Sequence, residues 1–113
     1  MLRSTLKRGL LLLLLATAAL ASAHAPYWID VRTPEEYAGG HVSQAVDIPY
    51  QQISDRIGEV TTDKDALIYL YCRSGHRAGI AKAALEDAGY SNVINLGSLE
   101  EALKKAAEEP SAQ

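Results

Sequence analysis

The sequence predicts a small α/β domain in which a parallel sheet is flanked by helices. Short apolar segments rich in strand formers alternate with longer segments of helical periodicity between residues 28 and 108, an alternation typical of a parallel sheet with helical crossovers. Residues 66–71 (ALIYLY) are almost wholly apolar, which indicates a central strand buried on both faces. The length of 113 residues allows a single domain.

The first half of the domain contains two predicted strands and two predicted helices. Residues 28–31 predict a strand that ends at the turn residues Thr33-Pro34. Thr33 is suited to cap a helix with proline and two glutamates in its first turn, and Gly39-Gly40 should end that helix. A second strand is predicted over residues 45–48, and a helix over residues 50–60 because its isoleucines follow helical spacing.

The second half repeats the alternation with longer elements. The central strand over residues 66–71 is followed by a predicted helix over residues 77–88, which Gly89 should end. Residues 91–96 predict a further strand, and residues 98–108 a final amphipathic helix.

Residues 1–23 have the three-part pattern of a secretory signal peptide. The first eight residues carry three basic side chains and no acidic one, and residues 9–20 are apolar apart from Thr17. Ala21-Ser22-Ala23 supplies the small residues that a signal peptidase accepts, so cleavage is expected before His24. An uncleaved anchor is the alternative, but the apolar stretch is shorter than the roughly 20 residues that span a bilayer. The sequence thus predicts an exported domain over residues 24–113.

The charge of this domain excludes some classes of partner. Removing the three basic residues of the leader from the 11 Lys+Arg leaves 8 against 14 Asp+Glu, a net charge of −6. This acidic balance argues against nucleic acid and anionic membranes as partners.

The single cysteine, Cys72, lies where a reactive thiol is expected. It follows the predicted central strand, and ligands of parallel α/β sheets bind beyond the carboxyl ends of the strands. The loop to the next helix can direct backbone N–H groups at an anion, with Gly75 permitting a tight turn. The helix N-terminus should also lower the pKa of the thiol. Arg73 and Arg77 are candidates for binding an anionic substrate; an inert buried cysteine is the alternative.

Several ordered motifs resemble the rhodanese domain family. The match covers nearly the whole predicted domain, and its most specific part is the six-residue segment Cys72-Arg73-Ser74-Gly75-His76-Arg77. The other matching segments are Ile29-Asp30-Val31-Arg32, Glu36-Tyr37, Gly40-His41-Val42, Ala45, Ile48-Pro49, Gly89-Tyr90 and Asn95-Leu96-Gly97. Three positions depart from the pattern of that family: Gln44, Asp47 and Ser98.

The resemblance, together with the export signal, implies a periplasmic single-domain sulfurtransferase. Cys72 would take the outer sulfur of thiosulfate as a persulfide, release sulfite and pass the sulfur to cyanide or a thiol. The substrate-binding residues would be Arg73, Ser74, Gly75, His76 and Arg77, with the backbone N–H groups holding the persulfide. No metal or organic cofactor is implied, and the protein would act as a monomer on small molecules. The family also implies an ion pair between Arg32 and Glu36, and a structural hydrogen-bonding role for His41.

Two other functions compete with sulfur transfer. Cysteine-dependent phosphatases and arsenate reductases bind anions in a similar loop, but the phosphatases place one residue more between cysteine and arginine than the four separating Cys72 from Arg77. The second alternative is a persulfide carrier or thiol sensor that serves a protein partner. It would use the same residues, so the sequence leaves it open.

Overall fold

A computed structural model describes residues 24–109, which form a four-stranded parallel sheet with helices on both faces. The strands are β1 (Tyr27–Asp30), β2 (Val46–Asp47), β3 (Ile68–Cys72) and β4 (Val93–Ser98). The helices are α1 (Pro34–Ala38), α2 (Ile53–Arg56), α3 (His76–Asp87) and α4 (Leu99–Glu108). The predicted fold class is confirmed. The predicted signal peptide, residues 1–23, lies outside the described residues.

Strand β3 lies in the middle of the sheet, whose order is β2-β1-β3-β4. All five of its residues are buried, as the apolar run predicted. Leu70 and Cys72 pack with α2 and α3 on one face, whereas Tyr69 and Tyr71 pack with α4 on the other. Full burial of one such side chain stabilises the fold by about 1.5–3 kcal/mol. The strand therefore places Cys72, buried, at the carboxyl edge of the sheet.

The helix predicted over residues 50–60 is broken into three one-turn pieces. A 3₁₀ turn (Tyr50–Gln52) precedes α2, and a second 3₁₀ turn (Ile57–Glu59) follows it. Its two buried isoleucines, Ile53 and Ile57, still face the core as their spacing predicted. The segment contains Ser54, Asp55 and Gly58, which are weak helix formers, so packing fixes the isoleucines without completing a regular helix.

Helices α1 and α4 begin with the same side-chain cap. Thr33 Oγ1 accepts a hydrogen bond from Glu36 N at 3.2 Å, and Glu36 Oε1 accepts one from Thr33 N at 3.1 Å. Ser98 and Glu101 form the equivalent reciprocal pair on α4. The cap predicted at Thr33 is confirmed, and each box satisfies N–H groups that would otherwise lack partners.

Strand β4 ends two residues later than the sequence predicted. Its pairing with β3 shifts register between Leu70 and Cys72, so that Ser98 lies opposite Cys72. Since α4 begins directly after Ser98, its first residue lies close to the end of β3. Separately, none of the helices within residues 24–109 combines the length and apolar character that crossing a membrane requires.

Candidate active site

The candidate site is the loop between β3 and α3. Cys72 is the last residue of β3 and is fully buried, and α3 begins at His76. Gly75 precedes the helix with φ of 94°, a backbone conformation that glycine adopts without a steric penalty. This turn folds the loop back over the sulfur.

Backbone N–H groups converge on Cys72 Sγ. Gly75 N donates to the sulfur at 3.0 Å, and Ala78 N donates at 3.4 Å. In contrast to α1 and α4, helix α3 has no side-chain cap at its N-terminus. The sulfur of Cys72 thus accepts hydrogen bonds that a capping side chain receives in the other two helices.

These contacts favour the thiolate form of Cys72. Burial alone acts to raise the pKa of the thiol, because it penalises the charged form. The backbone N–H groups of Ala78, Ser74, Gly75 and Arg77 act in the opposite direction and prevail, so the pKa lies below its ordinary value. The structure therefore brings Gly75 and Arg77 to the sulfur through their backbones.

The side chains of the loop point in different directions. Those of Arg73, Ser74 and His76 are exposed around the mouth of the loop. Arg77 instead donates from Nη1 and Nη2 to the two carboxylate oxygens of Glu36, at 2.7 and 3.0 Å. This two-point ion pair with Arg77 lowers the pKa of Glu36 to about 2. It also joins the start of α3 to α1.

The ion pair predicted between Arg32 and Glu36 is wrong. Arg32 binds Asp30 instead, with Nε donating at 2.9 Å and Nη2 at 2.6 Å, and Nη2 also donates to Gly40 O at 2.7 Å. Both Arg32 and Asp30 are buried at the end of β1, whereas Glu36 faces α3. The buried pair fixes the chain after β1, and Arg32 N donates to Asp30 as well.

The histidines have no shared role in the described residues. His41 Nδ1 donates to Tyr37 O at 2.7 Å and its ring stacks on that of Tyr37, which confirms its predicted structural role. His76 is the first residue of α3, whereas His24 lies before the start of β1. Across residues 24–109 the acidic, histidine and cysteine side chains form no cluster of three suited to a metal ion.

Asn95 on β4 also touches the loop, a contact that sequence reasoning missed. Its Nδ2 donates to Gly75 O at 2.9 Å, and its Oδ1 accepts from Gly97 N at 2.9 Å. The sequence placed Asn95 in a family motif at the end of a strand but gave it no partner.

A cleft of about 430 Å³ borders the same loop and is lined by Arg32, Glu36, Arg73, Ser98, Leu99 and Glu100.

Comparison with known proteins agrees with the motifs. Residues 15–105 match the rhodanese-like domain family. The thiosulfate sulfurtransferase PspE of Escherichia coli (strain K12) is 40% identical over 95 residues, covering 84% of this chain and 90% of that protein. A sulfurtransferase of Allochromatium vinosum is 43% identical over 68 residues, covering 60% of this chain and 62% of that protein.

Solved structures give the same result. An E. coli rhodanese with anions superposes with a TM-score of 0.66 at 40% identity, covering 68% of this chain and 91% of that chain. The chain therefore belongs to the rhodanese-like domain family, which includes the sulfurtransferases that it resembles.

Proposed function

We propose that this protein is a thiosulfate sulfurtransferase that carries sulfane sulfur as a persulfide on Cys72. The observation that carries the proposal is the set of backbone N–H groups directed at Cys72 Sγ, with Gly75 N at 3.0 Å. The 40% identity to a relative named thiosulfate sulfurtransferase supports the choice of donor.

The first step is attack of the Cys72 thiolate on the outer sulfur of thiosulfate. The bond between the two sulfur atoms of thiosulfate breaks, and its electron pair leaves with sulfite. A persulfide remains on Cys72, with its negative charge on the outer sulfur. N–H groups of residues 73–77 would stabilise that charge, as pre-oriented donors do in other anion-stabilising sites.

In the second step a thiophilic acceptor takes the outer sulfur. Cyanide or a thiolate attacks that sulfur, and the Cys72 thiolate leaves, so the product is thiocyanate or a new persulfide. The same N–H groups stabilise the departing thiolate. They lower the pKa of the thiol, and a thiol of lower pKa leaves faster. One arrangement of donors therefore assists both steps.

The size of the pKa effect shows what the loop contributes. Each unit of pKa lowering raises the thiolate fraction up to about tenfold near neutral pH, while intrinsic nucleophilicity falls about threefold. The net gain in the first step is a few-fold. Holding the anionic substrate against the sulfur must therefore contribute more to the rate than the lowered pKa does.

Arg73 is the side chain best placed to attract the donor. It is exposed beside Cys72 and forms no ion pair within residues 24–109. Thiosulfate is a dianion and the domain is acidic overall, so a free guanidinium at the mouth of the loop supplies local positive charge. Ser74 and His76 border the same opening, whereas the Arg77 side chain is engaged by Glu36.

The proposal includes export. Removal of residues 1–23 would release a periplasmic, monomeric domain that acts on small molecules without a metal or organic cofactor. The basic start, the apolar stretch and Ala21-Ser22-Ala23 support this step.

The test is thiosulfate:cyanide sulfurtransferase activity of protein expressed from the 113-residue sequence, beside Cys72→Ser. We expect wild-type turnover, activity at least about 10³-fold lower in Cys72→Ser, and one added sulfur on the wild type alone by intact mass. The same mass reports whether residues 1–23 are removed.

Two results would contradict the proposal. Without turnover or a sulfur adduct, the loop would be an anion-binding site only. An adduct formed without turnover to cyanide would favour the carrier that delivers sulfur to a protein partner.

A further inference from the structure

Gly75 needs external contacts to hold its N–H on the sulfur. It is the residue before α3, has φ of 94° and donates to Cys72 Sγ at 3.0 Å. A glycine without Cβ has soft φ and ψ angles, so its own conformational preference does not fix this orientation. Helix α3 holds one side of the residue, because Gly79 N donates to Gly75 O at 2.9 Å.

Asn95 holds Gly75 from the side of the sheet. Its Nδ2 donates to Gly75 O at 2.9 Å, while its Oδ1 accepts from Gly97 N at 2.9 Å. Because one bond requires the amide N–H and the other the amide oxygen, the two together fix the orientation of the side chain. Asn95 is thus a bridge from the end of β4 to the active loop.

The two chain segments that Asn95 joins are in close contact. A Cβ built on Gly75 would lie 3.3 Å from Gly97 Cα and 3.7 Å from Asn95 Oδ1. Gly97 itself has φ of 93°. A Cβ at Gly75 would therefore crowd the other segment, whereas one at Gly97 would meet the side chain of Glu101. The amide of Asn95 is the polar link between the two segments.

We propose that Asn95 is a positioning residue for the nucleophile, whose amide orients Gly75 so that its N–H points at Cys72 Sγ. This inference rests on the proposed function, since it concerns the same sulfur. Asn95 does not touch the sulfur in this structure and acts through Gly75. A residue that only stabilised the end of β4 would leave the ionisation of Cys72 unchanged.

The experiment is the pH dependence of Cys72 alkylation by iodoacetamide in the full chain, with thiolate absorbance as a second readout. Asn95→Ala and Asn95→Leu both remove the amide without adding charge, and leucine retains most of the volume. Val93→Ala is the matched control, because Val93 is a buried residue of the same strand that lies opposite Ile68 of β3, at the end of the pairing away from Cys72.

In both Asn95 variants we expect the pH midpoint of Cys72 alkylation to rise by about one unit. This is the size expected when the thiolate loses one hydrogen bond, here the one from Gly75 N. Below the midpoint, alkylation should be about tenfold slower. Val93→Ala should keep the wild-type midpoint while losing thermal stability.

An unchanged midpoint in either folded Asn95 variant overturns the inference, as does an equal shift in Val93→Ala.

Wild-type NMR gives a test that needs no variant. The Asn95 side-chain amide protons should shift with the same midpoint as the Cys72 thiol, and a flat response would refute the coupling. Neither readout needs a sulfur donor, so a failed sulfurtransferase assay would remain a separate result.

Discussion

The loops after β1 and β3 lie side by side at the carboxyl edge of the sheet, and they end in opposite ways. After β1, the side chains of Thr33 and Glu36 occupy the N–H groups at the start of α1. After β3, no side chain caps α3, and Gly75 and Ala78 donate to Cys72 Sγ. In the loop after β1 (residues 31–33), called the closed loop below, side chains occupy the N–H donors. The loop after β3 (residues 73–75), called the open loop, leaves its N–H donors for the sulfur.

The difference shows how one architecture produces both a structural loop and a reactive one. A capping box uses the donors of a helix N-terminus and leaves little for an anion. A glycine in the left-handed region directs the same donors inward. The closed loop also supports the open one, because Glu36 of the capping box binds Arg77 on α3.

Gly75→Ala should disturb the open loop most. Alanine at φ of 94° is strained, and its Cβ would lie 3.3 Å from Gly97 Cα. We expect destabilisation of about 1–3 kcal/mol, and about tenfold slower alkylation of Cys72 at pH 7 because the N–H of residue 75 leaves the sulfur. Thermal unfolding and alkylation rates measure the two effects.

Gly58→Ala is the control for that substitution. Gly58 has no positive φ, and a Cβ there meets nothing within 4 Å. The thermal stability of Gly58→Ala and its rate of Cys72 alkylation should stay near the wild-type values. Wild-type alkylation in Gly75→Ala would show that the open loop does not depend on the left-handed turn.

Glu36→Gln tests the link between the loops. The glutamine removes the charge and one oxygen that binds Arg77, so we expect a loss of about 1.5 kcal/mol at pH 7. The pKa of Glu36 is lowered to about 2 from an ordinary value of 4.5. Its contribution is therefore fully present above about pH 4.5 and lost as the pH falls toward 2.

Urea unfolding across this range is the measurement. The stability difference between wild type and Glu36→Gln should shrink as the pH falls from 4.5 toward 2. A difference that stays constant with pH would mean that the charge of Glu36 does not stabilise the fold. Glu35→Gln, at an exposed neighbouring position without an ion pair to Arg77, is the matched control.

The sequence predicted what depends on local patterns and missed what depends on distant partners. The alternating strands and helices, the cap at Thr33 and the donors around Cys72 follow from residues close together in the chain. Arg77 and Glu36 are 41 residues apart, and Asn95 and Gly75 are 20 apart. Only the fold decides these two pairings. Arg32 was assigned the wrong partner although its own partner, Asp30, is two residues away, because Glu36 is bound by the distant Arg77.

Thr33→Ala should affect the closed loop alone. Loss of the capping side chain costs typically about 1 kcal/mol of stability. Alkylation of Cys72 should remain at the wild-type rate, because the donors to its sulfur come from α3 and not from α1. Slower alkylation in Thr33→Ala would show that the donors to the sulfur also depend on the cap of α1. Thr62→Ala, at an exposed position, controls for the change in residue type.

Asp47→Asn should give the smallest effect, and it should stabilise. Asp47 Oδ1 is buried next to the closed loop and accepts no hydrogen bond from residues 24–109. Burial raises the pKa of this carboxyl, and the neighbouring Asp30 adds to the shift.

The sign of the effect of Asp47 on stability follows from this shift. A carboxyl with a raised folded pKa destabilises the fold above that pKa, and the penalty disappears as the pH falls toward the ordinary value of 3.8. Asp47→Asn should therefore add about 0.5–1 kcal/mol at pH 7, and this gain should vanish below about pH 4. Asp55→Asn removes an equal charge at an exposed position and should change stability little. Within the described chain, only Asp47 has a buried side-chain oxygen without a hydrogen-bond partner. An equal gain in stability in Asp47→Asn and Asp55→Asn would therefore show that the cause is the lower net negative charge and not the burial of Asp47.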